Sequence, residues 1–125
     1  MKTAKKNTKV QSTYPMINTP EEMERCDKKG IYSSLNFDMF TMLEFNRGED
    51  NGIDPIKMKG FEDLLANGEY MADEVQLIVN NNRIIIDGTH KYMLHKNHRI
   101  PINFRFTQVP ELNSDDPVIL YEAVS

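Results

Sequence analysis

Tryptophan is absent from the 125 residues, and cysteine occurs once, at Cys26. A lone thiol excludes an internal disulfide. Without partners at metal-ligand spacing, it reads as a small helix residue rather than a zinc ligand. No apolar stretch approaches the roughly 20 residues of a membrane span, and no apolar segment follows the basic N-terminal residues, so the sequence predicts no membrane association and a cytoplasmic setting. Also missing are a Walker A loop, a Cys-x-x-Cys pair and a Gly-x-Ser-x-Gly elbow, each of which would have announced a specific chemistry. Acidic residues are absent before Glu21, where Lys2, Lys5, Lys6 and Lys9 stand alone; residues 21–125 therefore carry 11 basic against 19 acidic side chains, a net charge of -8. A body of that sign disfavours sequence-independent binding along duplex DNA, which depends on many Lys and Arg contacts to phosphate.

What is present suits one modest core. The chain is 39% hydrophobic, with a mean hydropathy of -0.57, a length and composition that fit a single domain. Residues 1–18 are polar and aperiodic, as in a flexible basic arm, and the folded domain is expected over 19–125. Thr19-Pro20-Glu21-Glu22 combines an N-cap, a proline at the first helical position and a capping-box acid, which predicts a helix to about Lys29 that stops at Gly30 and turns Met23 and Cys26 inward. Phe40 to Phe45 reads as a strand running into a loop. Asp54-Pro55 repeats the cap-and-proline signal, with Ile56, Met58, Phe61, Leu64 and Leu65 near one face and Asn67-Gly68 at the end.

Two β-prone runs, Val75 to Val79 and Arg83 to Ile86, flank Asn80-Asn81-Asn82, residues that tolerate the left-handed backbone of a tight hairpin. Thr89 to Asn97 is helical in pattern, Ile100 to Phe106 alternates as a one-sided strand, and Val118 to Tyr121 offers a last strand. The fold class that follows is α+β: a small mixed β-sheet with two or three packed helices.

Chemistry concentrates at Asp87-Gly88-Thr89-His90-Lys91, where a strand end meets a helix start. Unpaired N–H groups at a helix N-terminus favour anions. Gly88 lets the backbone bend and approach a ligand, Thr89 can cap or donate its hydroxyl, and His90 and Lys91 can bond phosphate oxygens. Asp87 suits Mg²⁺ or proton transfer. His90, His95 and His98 invite a metal reading, but their spacing is incomplete, and His-Lys-Asn-His-Arg fits a basic, solvated helix end better. Glu49, Asp50 and Asp54 likewise read as a solvated acidic loop ahead of a Mg²⁺ site.

Taken in order, Phe45-Asn46-Arg47, the helix ending Leu64-Leu65-Ala66-Asn67-Gly68, Ile78-Val79-Asn80, Ile85-Ile86-Asp87-Gly88-Thr89-His90-Lys91-Tyr92 and Ile100-Pro101-Ile102 resemble the ParB N-terminal/sulfiredoxin-like family. About half of the chain carries the resemblance. It implies a small nucleotide-binding fold in which Gly88, Thr89, His90 and Lys91 sit at the phosphates of ATP, ADP or CTP. It further implies Asn46 and Arg47 on a facing loop, and Asp87 and His90 as catalytic residues, with Asp87 the one tentative metal ligand. Thr89 stands where sulfiredoxins place their catalytic cysteine, which removes the sulfinic acid reduction branch. Lys91 replaces the usual arginine and loses its planar fork. Only Glu111 and Asn113 echo the further helix of the CTP-dependent partition proteins, so a DNA clamp is not expected. Glu44 and Glu49 are the nearest candidates for a kinase glutamate.

The expected function is a standalone nucleotide-binding domain, with Mg²⁺-dependent hydrolysis or phosphotransfer left open. The alternatives are a ParB-like metal-dependent nuclease, with Arg47 and Lys91 on the nucleic-acid backbone, and a non-catalytic interaction protein of a phage or mobile element that binds a protein partner.

Overall fold

The computed structural model describes residues 14–43 and 53–124. Thr19 caps α1 (Pro20–Arg25) in a complete capping box: its hydroxyl accepts from the Glu22 N–H while the Glu22 carboxylate accepts from the Thr19 N–H. The helix is four residues shorter than its pattern predicts. Lys28 is the physical reason, because its Nζ donates to the carbonyls of Met23, Glu24 and Cys26 and so satisfies the C-terminal oxygens that a further turn would have used. Strand β1 (Ile31–Ser34), a 3₁₀ turn at Phe37–Met39 and a two-residue strand β2 (Thr41–Met42) follow. Asp54 accepts from the N–H groups of Ile56 and Lys57 and starts α2 (Pro55–Ala66), which Asn67 closes, as the cap signals predict.

The hairpin is also as expected: β3 (Gln76–Val79) and β4 (Ile84–Asp87) are antiparallel. Its left-handed residue, however, is Arg83 at φ 65°, not one of the asparagines. Then come α3 (Thr89–His98) and β5 (Ile102–Phe106). The five strands form one mixed sheet in the order β1-β5-β3-β4-β2, with β5 parallel to β3 and β2 parallel to β4. This is the α+β class that the sequence predicts.

Phe104 lies at the centre of the core with none of its surface exposed. Its ring packs against Phe40 at 5.3 Å, Phe106 at 5.9 Å and Tyr32 at 6.0 Å between centroids. Tyr92 extends the cluster from α3, edge-on to Phe40, and its hydroxyl donates to the Phe37 carbonyl. Each such ring contributes about 1.5–3 kcal/mol by leaving water, and more where the rings meet edge to face.

Three expectations change. The folded body begins before residue 18: Met16 bridges to Ser33, the Ile17 N–H donates to the Ser33 carbonyl, and Ile17 is buried in the core. Strand β1 escapes hydropathy because its two buried residues, one on each face of the sheet, are Ser33 and Ser34. Both are fully buried, their hydroxyls donating to the Ile102 carbonyl and to Asn18 Oδ1. The last element is a helix, α4 (Pro117–Val124), not a strand. Asp116 accepts from the Val118 N–H, so Asp116-Pro117 is a third cap-and-proline start, and Leu120 alone of residues 117–123 is buried.

Asn80 ties the hairpin to the C-terminal segment. Its amide donates to the carbonyls of Leu112 and Ser114, and its oxygen accepts from the N–H groups of Asn82 and Ile84, all with no side-chain surface exposed. Replacing Asn80 with Ala leaves these buried groups unpaired, and urea denaturation should show a loss of roughly 2–3 kcal/mol.

Candidate functional site

The Asp87–Lys91 turn forms where β4 ends on the inner side of the sheet and α3 departs. Gly88 adopts φ 102°, ψ 20°, and a Cβ there would stand 2.8 Å from Leu77 Cδ2. Two independent constraints therefore demand glycine: the left-handed backbone and the contact with a fully buried leucine of β3. Gly88 is the N-cap, and no side chain caps the helix, so Thr89 does not take the capping role its sequence position suggests. Because the Tyr92 N–H is bonded to the Gly88 carbonyl, the N–H groups of Thr89, His90 and Lys91 lie at the helix mouth with no intrahelical acceptor.

The side chains of the turn go separate ways. Asp87 is exposed and Thr89 half-buried, and neither makes a side-chain hydrogen bond among the described residues. His90 turns towards α2, where its Nε2 accepts from the Asp54 N–H at 2.9 Å. An amide N–H only donates, so this nitrogen carries no proton and the neutral ring holds its hydrogen on Nδ1. Partial burial and the nearby Lys57 ammonium hold His90 below the ordinary imidazole range, against the pull of Asp54. Lys91 Nζ sits 5.9 Å from the centre of the Phe61 ring on α2.

The expected partners Asn46 and Arg47, with Glu44, Glu49 and Asp50, lie outside the described residues. The residues flanking that segment are nevertheless informative. Met42 pairs in parallel with Ile85, two positions before Asp87, while Asp54 is bonded to His90. Both flanks thus adjoin the turn. Among the described residues, no group of three or more His, Cys, Asp or Glu side chains could hold a metal ion.

Of the other histidines, His95 departs from the solvated helix end that its neighbours suggest, and His98 fits it. His95 is fully buried, its Nδ1 3.1 Å from the Pro101 carbonyl and its Nε2 2.7 Å from the Tyr70 hydroxyl. Its periodicity carried the signal: His95 falls one turn beyond Lys91 and three residues past Tyr92, on the inward side of α3. His98 is exposed and meets Glu62 at 2.7 Å. Tyr70, the partner of His95, had no sequence signal at all.

Gly88→Ala should destabilise the protein by about 2 kcal/mol, measured by chemical denaturation, since the left-handed backbone alone costs an L-residue roughly 1–2 kcal/mol before the Leu77 contact is counted.

No helix of the described residues is long and apolar enough to cross a membrane. In comparisons with known proteins, no family model, curated protein or solved structure matches the chain.

Proposed function

We propose that the mouth of α3, from Gly88 to Lys91, binds a phosphate group of a nucleotide, in the manner of a ParB/sulfiredoxin-like domain. The observation that carries this reading is the bond from the Asp54 N–H to His90 Nε2, because it sets the N-terminus of α2 against that of α3. Two positive helix ends converge there, with Lys57 near the His90 ring. Asp54 already accepts from Ile56 and Lys57, so the donors left for an anion are the Thr89, His90 and Lys91 N–H groups of α3.

The element order of β2, α2, the β3–β4 hairpin, α3 and β5 supports the family resemblance, since it is the order that the motifs imply. ATP, ADP and CTP are the candidate nucleotides. Asp87, exposed one residue before the mouth, would share a Mg²⁺ ion with the phosphates, and that ion would neutralise charge there. In this role His90 contributes its backbone N–H and holds α2 in place through its ring.

Calorimetric titration with ATP, ADP, CTP and GTP, with and without Mg²⁺, tests the proposal. Binding should shift the amide resonances of Thr89, His90 and Lys91 and weaken as ionic strength rises. If none of the four nucleotides binds more tightly than about millimolar, the proposal fails.

A further inference from the structure

All three histidines of this chain lie on α3, and each is bonded to the segment that carries α2. His90 holds its start through the Asp54 N–H, His98 its middle through Glu62, and His95 its exit through Tyr70. Among the described residues, helix α2 is otherwise held by Lys91 against its Phe61 ring and by a few half-buried apolar side chains. None of its residues is buried; Met58, Phe61 and Leu65 are half-buried, and Ile56 is 83% exposed. We propose that this histidine seam is a pH-sensitive latch, which releases α2 from α3 as the solution turns mildly acidic while the sheet stays folded.

The chemistry follows from the tautomers. The Pro101 carbonyl only accepts, so His95 Nδ1 carries the hydrogen and its bare Nε2 accepts from the Tyr70 hydroxyl. His90 Nε2 is bare for the equivalent reason. At His90 the second proton would land on the nitrogen that accepts from the Asp54 amide, which can only donate, leaving donor facing donor. At His95 the Tyr70 hydroxyl can turn to accept, and what resists the second proton there is burial of the charged ring.

The groups that face the seam set the direction. Burial above all, and then the Lys91 ammonium, lower His95, while its Pro101 and Ile100 backbone bonds pull the other way. Around His90, burial and Lys57 lower the ring and Asp54 raises it. Both histidines are therefore held below their ordinary value of 6.5 in the folded state, and a released α2 lets them take up protons nearer that value. The released state binds more protons, so the latch is complete above about pH 6.5 and weakens as pH falls below it. His98 and Glu62 meet at 2.7 Å on the same seam, but both partners are 40% exposed and solvent screens the contact. The latch does not depend on what binds at the turn.

Amide hydrogen exchange of the whole chain from about pH 7.5 to about pH 5, corrected for intrinsic rates, tests the proposal. Residues 56–66 should lose about tenfold of their protection relative to β3 and β5, with a midpoint below 6.5. His90→Gln, which puts a non-titrating acceptor near the Nε2 position, should keep neutral protection and reduce the pH response. Tyr70→Phe, which removes the bond to His95, should lower protection of α2 at neutral pH. The latch is overturned if α2 stays protected to pH 5, if α2 and the sheet lose protection together, or if His90→Gln with Tyr70→Phe leaves the response intact. Should that double variant fail to fold, the wild-type comparison of α2 with the sheet decides alone.

Discussion

Parallel pairing of β3 with β5 is the constraint from which the rest follows. Two strands that run the same way in one sheet require the chain to travel back between them, and only 22 residues separate Val79 from Ile102. A tight hairpin into β4 followed by α3 fits that span. The hairpin delivers the chain to Asp87, and the helix must start at once, so the reversal falls on a single left-handed residue. Gly88 takes it, pressed against Leu77 of the same strand that β5 pairs with. The helix mouth that reads as an anion site is thus a by-product of sheet connectivity, and its rigidity comes from the core beneath it.

That origin explains a division of labour in the turn. Its backbone faces outward with free donors, while its longer side chains serve the packing of α2: His90 as an acceptor and Lys91 over an aromatic ring. Helix α2 exposes most of its surface and depends on α3 for its placement, whereas the sheet is held by interlocked aromatic rings. Packing within the domain is therefore uneven, dense around Phe104 and sparse at α2.

Much of the architecture was legible because it rests on local rules. Thr19, Asp54 and Gly88 mark three helix starts through cap and turn chemistry, and β3, β4 and β5 follow from β-prone or alternating patterns. What escaped depends on contacts distant in sequence. Ser33 and Ser34 form a buried strand because Ile102 and Asn18, remote along the chain, accept their hydroxyl hydrogens. Val118 to Tyr121 is too short an apolar run for its period to separate strand from helix, and the cap at Asp116 had to decide it. Within the site, the motif Asp87 to Lys91 stood out through its residue types. The direction of its His90 ring and the inward turn of His95 depend on Asp54 and Tyr70, which no spacing rule connects to them.

The two borders of the sheet have a consequence for solution behaviour. Strand β2 is two residues long, and β1, at the opposite side, is partly covered by the Met16 bridge and by the Ile17 N–H to Ser33 bond. An exposed border of unpaired backbone groups is a template onto which another chain can add a strand, and long, flat borders are where such growth begins. Within the described residues, one border is too short for that and the other is already engaged by its own chain, so the sheet discourages edge-to-edge stacking without resorting to charge.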